Sequence, residues 1–492
     1  MCKIAHGTIL PLETTPKSNF ELSFLDNDFL SSSRSWPFWY MFQELQRDSS
    51  SLLEKCEDTV QNLRRLGQLG MVDPTVENLP GVEVPAIYTF FGQFVDHDIT
   101  REKGSSFIHL TNPRPIDLDQ VPTYIVNSRS PNLDLDHVYG PDVDGELAPR
   151  DPGDPNKMLI AAVLPPRTGA VLSSDLDHDF PRDANGSARI GDKRNDENIV
   201  TAQLHVAFLR AHNNLVKQGH QFEAARKLLT QHYQWIVLDD FLNRIADPAI
   251  VKRIRCIGPK FFNPPPSLFF IPLEFSVAAF RFGHSKVRAG YNHFNETNQS
   301  ASLGLLFSNS HQRLTADWVI DWKAFLEPEK NLPRPIDTSL TEALLNLRSP
   351  LVDDPDPENN LAIRNLLRGY ILRMPTGQAV AKAMASEGIK PLTEEQIGNA
   401  AKRISQVQYQ ILYESDFLKN TPLWFYILAE AAYYNRGYHL GPVGSTIVAE
   451  VLIGVLRNST YSILAEPHWR PTLGDNPAKF DIQDLLKLAG VL

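Results

Sequence analysis

Apolar residues recur at helical spacing along much of this chain, and strand-like alternation is scarce. From Pro85 to Asp98 the residues Ile87, Phe91, Phe94 and Val95 make one apolar stripe, which predicts a helix. A longer amphipathic stretch runs from about Asn195 to Gly219, and another from Ala224 to Ala246. Further helices fit 268–289, 359–372, 376–386, 394–414, 422–433 and 443–457. Residues 105–190 are rich in Pro, Asp and Gly and predict long loops. The first eighty residues mix short helical patterns with polar stretches. The expected architecture is mainly α, with an N-terminal arm (1–80) packed on one large domain with long loops (81–492).

Composition narrows the function classes. With 492 residues the chain can bury a large core, and its hydrophobic and charged fractions are those of an ordinary globular protein. A net charge of -10 argues against a nucleic-acid surface, which needs clustered Lys and Arg. Cys2, Cys56 and Cys256 match no disulfide framework, zinc or redox spacing and read as free thiols. The N-terminus, MCKIAHGTILPLETTPKSNF, lacks the apolar stretch of a signal peptide, and no run approaches the roughly 18 apolar residues of a membrane span. The expectation is a soluble monomer, cytoplasmic or exported by a non-classical route.

Chemistry concentrates in a few helical pairs. In FFGQFVDHDIT, Gln93, Asp96 and His97 share one face of an otherwise apolar helix, while Asp98 points about 100° away from His97. Arg194 and Glu197 sit one turn apart in GDKRNDEN, a spacing that an ordinary surface ion pair would also produce. His205, Phe208, His212 and Leu215 form a stripe that reads as packing. Arg281 and His284 in AFRFGH, and Asn365 and Arg368 in RNLLRG, repeat the one-turn spacing. A metal-ligating histidine usually needs an acceptor on its other ring nitrogen, which Asn365 could supply to His284. The arginines could bind carboxylates. In NSRSPNLDLDHVYG, Ser130, Asn132, Asp134 and Asp136 offer alternating oxygen donors, a pattern that suits Ca²⁺ or a solvated acidic turn.

Taken together, GQFVDHD, GDKRNDEN with the later FLRAHNN, AFRFGH and RNLLRG resemble the animal-type haem peroxidases, in the order found there. That superfamily includes myeloperoxidase, lactoperoxidase and peroxidasin. ADWVIDWKAFL, PTGQAVAKAM, TPLWFYILAEAA and LGPVGSTIVAEVLIGVL look like its bacterial branch, and the match runs from about residue 80 to 460. The resemblance implies a single domain of the myeloperoxidase type holding haem b and Ca²⁺. His97 resembles the distal histidine that takes a proton from peroxide, Arg194 the distal arginine, and Gln93 the glutamine that orders distal water and borders the halide site. His284 resembles the proximal iron ligand with Asn365 as its partner. Arg281 and Arg368 match residues near the haem propionates. Asp96 and Glu197 fall where the family can form esters to the haem. Asp98 would join Ser130, Asn132, Asp134 and Asp136 at calcium.

The implied activity is reduction of hydrogen peroxide through ferryl haem, with oxidation of small anions (bromide, iodide, thiocyanate) or of phenolic and organic donors, as in a response to oxidative stress. Asn198 stands where myeloperoxidase links a methionine to haem, which puts strong chloride oxidation in doubt, and Ala211 replaces a glutamate common in the family. A fatty-acid dioxygenase on the same fold would need a radical-forming tyrosine three residues before the proximal histidine. This chain has Arg281 there, followed by Phe282. A dedicated biosynthetic oxidase and a non-catalytic haem- or calcium-binding adhesion protein are the other readings, the latter opposed by the intact set of Gln93, His97 and Arg194.

Overall fold

The stripe between Pro85 and Asp98 does fold as a helix, α1 (Ile87–Ile99), in a computed structural model. The structure describes residues 35–492 apart from 75–83, 104–108, 142–144, 168–174, 332–333, 348–358, 467 and 477. Cys2 and half of the expected N-terminal arm therefore lie outside the described residues. Phe91 and Phe94 anchor α1 in an aromatic cluster: Phe94 stacks on Phe208 at 4.6 Å, and Phe91 meets Phe241 edge-on at 5.4 Å. Gly92 lets α1 lie close to Phe241, because a Cβ there would come within 3.2 Å of that ring.

The second long element is α2 (Ile199–Lys217), buried on nearly every side as a core helix should be. Asn198 caps its start, accepting from Thr201 N at 2.9 Å. Near its far end, FLRAHNN works as a fastening. Asn213 exchanges two hydrogen bonds with the backbone of Met158, at 2.7 and 2.9 Å. His212 contacts Tyr139 Oη at 3.0 Å and Asn156 O at 2.9 Å. Arg210 and Asn214 donate to the carbonyls of Ala489 and Leu488, which holds the last helix (Ile482–Ala489) in place. The reading of the 205–215 stripe as packing fits these bonds.

Two predicted helices are broken. The 394–414 stretch divides at Ser405, whose extended backbone ends one helix and whose hydroxyl caps the next by accepting from Gln408 N at 3.0 Å. The 268–289 stretch is not an α-helix. It begins as a two-residue strand, passes through a π-type turn (Glu274–Ala278) and continues as 3₁₀ turns (Ala279–Lys286). Side chains compete for its backbone there: Arg281 Nε donates to Ser276 O at 2.9 Å. Glu274, fully buried, turns its carboxylate to the N–H groups of Met41 (2.8 Å) and Phe42 (3.1 Å).

Around this segment pack α3 (Leu361–Ile371), α4 (Leu423–Asn435) and α5 (Pro442–Asn458), the last two almost wholly apolar. Glu430 on α4 accepts from Val443 N (2.9 Å) and Gly444 N (3.3 Å), capping α5 with a buried carboxylate. A small sheet completes the frame. Trp36–Trp39 pairs antiparallel with Val126–Asn127 and parallel with Ile271–Pro272, and Glu102–Lys103 flanks it through Val126–Asn127. No helix among the described residues is long and apolar enough to cross a membrane.

Candidate active site

His97 sits in the last turn of α1, 4% exposed. Its Nδ1 lies 2.8 Å from Asn195 Oδ1, so Nδ1 carries the ring proton and Nε2 is bare. Burial, then the charge of Arg194, pushes the imidazole down to about 4, so it is neutral near pH 7. Asn195, fully buried, extends its amide nitrogen to within 2.9 Å of His205 Nδ1.

Arg194 arrives on the 3₁₀ turn Lys193–Asp196. Its Nη2 donates to His97 O (3.2 Å) and Thr100 O (2.6 Å), where the C-terminal carbonyls of α1 attract a cation. Nε and Nη2 also grip Asp192, at 3.1 and 2.8 Å. Nη1 makes no hydrogen bond among the described residues. Asp192 has no exposed surface and also receives Arg129 (3.0 Å) and Arg101 (3.2 Å). Burial alone would raise this carboxyl, but Arg194 and Arg129 outweigh it and hold it well below the usual range. Three guanidiniums thus share this one carboxylate, and Arg194 also feels the charges of Asp96 and Glu197.

Gln93 directs its oxygen at Asn198 Nδ2 (3.1 Å) and Thr201 Oγ1 (3.0 Å). Asn198 thus caps α2 and holds Gln93 at once. Asp96 accepts from Thr100 Oγ1 at 2.9 Å. The Glu197 carboxylate makes no hydrogen bond among the described residues, and burial raises its pKa.

On the other wall, His284 Nδ1 lies 2.8 Å from Asn365 Nδ2, and Arg281 Nη1 donates to Asn365 Oδ1 at 3.3 Å. This corrects the expected polarity: Asn365 meets His284 with its nitrogen because Arg281 claims its oxygen. Burial, then Arg281 and Arg364, pushes His284 down to about 3. Trp424 on α4 braces the segment, donating to Arg281 O at 3.2 Å. Arg368 is paired with Glu102 instead of standing free, and burial lowers it to about 10, still a cation at neutral pH.

Side chains on both walls keep accessible surface. Arg194 and Arg368 keep 24% and 20% of their side-chain surface accessible although protein surrounds them deeply enough to desolvate both. Gln93, Asp96, Arg281 and His284 likewise keep accessible surface. Arg281 feels the charges of Asp96 and Arg194, which ties the two walls together.

The calcium expectation needs correction. Asp98 is fully buried and does face the 130–136 loop, but its oxygens meet His137 Nδ1 (2.8 Å) and Leu135 N (3.2 Å). Ser130 donates to Asp136 (2.6 Å), Asp134 accepts from Thr460 (2.6 Å), and the Asn132 side chain packs on Asn458 (2.7 Å). Among the described residues no three His, Cys, Asp or Glu side chains converge as a metal site. As placed, the set does not fit calcium, because protein groups already take up its oxygens.

Sequence reading missed Asn195, Asp192, Arg129 and Glu102. Only Asp192 carried a local signal: an aspartate two residues before Arg194 can cap the turn, and it accepts from Arg194 N at 3.0 Å. Asn195 meets His97, Arg129 meets Asp192 and Glu102 meets Arg368 across 98, 63 and 266 residues.

Known proteins resemble this chain in sequence and in fold. The sequence family described as Animal haem peroxidase matches residues 103–347. A peroxidase-like protein of Margaritifera margaritifera is 28% identical over 249 residues, which is 41% of this chain and 31% of the relative. The peroxidasin homolog of Caenorhabditis elegans is 26% identical over 272 residues, 50% of this chain and 20% of the relative. The chain thus spans less than a third of the length of these curated relatives. Peroxidase A of Dictyostelium discoideum superimposes with a TM-score of 0.57 at 14% identity, covering 92% of each chain. The fatty acid alpha-dioxygenase of Oryza sativa follows at 0.53 and 11% identity, covering 92% of this chain and 77% of the other. At such identities the structural likenesses show the fold alone.

Proposed function

This chain belongs to the animal haem peroxidase family, and from that premise we propose that it is an oxidoreductase that binds haem b and reduces hydrogen peroxide. The observation that carries the reading is the pairing on one helix end of a neutral histidine with a bare Nε2 and an arginine with a free edge.

The residues suit haem. His284 presents an Nε2 with no hydrogen-bond partner among the described residues and an Nδ1 already in contact with an amide. A half-turn of that amide would let Asn365 accept from Nδ1–H, the partner an iron-ligating imidazole needs. Arg281 and Arg368 are cations fit to meet carboxylate groups, and Asp96 and Glu197 are the two carboxylates available for ester links. Haem iron, when bound, supplies the redox chemistry by which peroxide is reduced and a donor oxidised.

The protein's own part is proton handling and charge. His97 Nε2 takes a proton from hydrogen peroxide, and the same nitrogen returns it to the departing oxygen as water forms. Arg194, its other edge fixed by Asp192, stabilises the negative charge that develops on that oxygen. Gln93 orders water beside them. The free edge of Arg194 supports small anions (bromide, iodide, thiocyanate) as donors, with phenolic or organic donors as the alternative.

The dioxygenase reading draws on the fold shared with the alpha-dioxygenase. Against it, the position three residues before His284 is Arg281, tied to Ser276 and Asn365. The test is oxidation of guaiacol and of bromide by peroxide in the haem-loaded protein, His97→Ala and Arg194→Ala. Activity that collapses in both variants supports the reading. A Soret band without peroxide turnover in the wild type overturns it and favours a dioxygenase, a selective biosynthetic enzyme or a binding role.

A further inference from the structure

We propose that Asn195 is the positioning residue that makes His97 a base, and that His205 sets the direction in which its amide points. The inference rests on the peroxidase reading for its consequence, but the geometry stands apart from it. The Asn195 side chain has one face that only accepts and one that only donates. Oδ1 lies 2.8 Å from His97 Nδ1, and Nδ2 lies 2.9 Å from His205 Nδ1. His97 therefore carries its proton on Nδ1, and His205 carries its proton on Nε2.

A half-turn of this amide would keep both contacts and reverse both rings. Nδ2 would then face His97 Nδ1, the His97 proton would move to Nε2, and the site would lose its proton acceptor without losing a hydrogen bond. The choice between the two arrangements falls to His205. That ring is fully buried, its Nε2 has no hydrogen-bond partner among the described residues, and the rings around it are Phe180 at 5.1 Å and 86°, Phe94 at 6.3 Å and 83°, and His137 at 6.3 Å and 79°. Edge-on aromatic surroundings accommodate an N–H, which can point at a π face, better than a bare lone pair. With the proton held on Nε2, His205 Nδ1 can only accept, so Asn195 must offer its nitrogen there and its oxygen to His97. Both rings sit on helices, α1 and α2, and Asn195 is anchored between them by its N–H to Asp192 O at 3.0 Å.

The experiment compares the full chain with Asn195→Ala, Asn195→Asp and His205→Phe by two measurements. In haem-loaded protein, cyanide affinity is read at the Soret band, because hydrogen cyanide enters neutral and must leave its proton on a base beside the iron. In ¹⁵N-histidine-labelled protein without haem, the ring-nitrogen shifts of His97, assigned with His97→Ala, report which nitrogen is protonated. Asn195→Ala is expected to weaken cyanide binding and slow the reaction with peroxide roughly 10- to 100-fold, with His97 shifting toward the Nε2-protonated form. Asn195→Asp keeps the acceptor and should recover most of both, a rescue that a merely structural role would not give. His205→Phe, which frees the amide to turn, should fall between wild type and Asn195→Ala. Wild-type cyanide affinity and tautomer in Asn195→Ala, or equal damage in Asn195→Asp, overturns the proposal. Wild-type behaviour of His205→Phe overturns the orienting role of His205. Failure of the wild type to react with peroxide would instead count against the peroxidase reading, while the nitrogen shifts still decide this one.

Discussion

A single nitrogen of Arg194, Nη2, bridges the carbonyls of His97 (3.2 Å) and Thr100 (2.6 Å), so the arginine caps the helix that presents the histidine. Charge and geometry at the site are therefore one unit. Replacing Arg194 with Ala should slow the peroxide reaction by about 10²–10³. Arg194→Lys should recover only part of this, since a point-like ammonium cannot grip Asp192 and both carbonyls as a planar fork does. Stopped-flow loss of the resting Soret band measures both. A lysine variant at the wild-type rate would mean that charge alone suffices.

The pH dependence of the peroxide step should be unusually flat. His97 acts as a base while neutral, and burial with Arg194 holds it down at about 4 instead of the ordinary 6.5. The rate should hold level from neutral pH down to about 5 and fall as pH drops through 4. An acid limb centred near 6.5 would show that the ring is far better solvated than this site allows.

Asp192 neutralises part of a buried cluster of Arg101, Arg129 and Arg194. Asp192→Asn should cost about 3–5 kcal/mol, the range for breaking a buried pair, because Arg129, Arg101 and Arg194 all lose the buried carboxylate they share. Urea unfolding of the haem-free chain gives the number, and a loss below about 1 kcal/mol would sink the claim that these charges are poorly solvated.

Glu430 carries a stability signature of opposite sign. Burial pushes its carboxyl up to about 8, above the ordinary carboxylate value. Between about 4.5 and 8 the unfolded chain gives up this proton more readily, so stability from this group is present at low pH and is lost as pH rises through 8. One oxygen, Oε2, accepts both helix N–H groups and the other has no partner among the described residues, so Gln fits in its place. Glu430→Gln should flatten that slope and unfold at a higher temperature than wild type at pH 9. An unchanged difference in melting temperature between pH 6 and pH 9 would refute it.

What was legible in the sequence follows from range. The α1 stripe, the one-turn spacing of Gln93 and His97 and the packing role of His205 and His212 depend on neighbours three or four residues apart, and the structure has them so. The break at Ser405 was in principle readable, because a serine can cap a new helix. The irregular course of Glu274–Lys286 was not, since it answers to Met41 and Phe42 more than two hundred residues earlier. Asn365 lies beside His284 but turns its nitrogen to that ring, because Arg281 competes for its oxygen. The 130–136 loop packs against Asp98, yet His137, a residue with no part in the pattern, takes the carboxylate oxygen.

The strand Trp36–Trp39 has a consequence for how the molecule is made. It lies between Val126–Asn127, next to the wall that carries His97, and Ile271–Pro272, which leads into the wall that carries His284. The strand is not paired on both sides until it is met by a segment synthesised well over two hundred residues later. At about 5–20 residues per second that is a wait of many seconds on the ribosome, with a bare apolar strand in hand. The joining of these two segments is thus a late event of assembly, and the strand needs shelter until its last partner emerges.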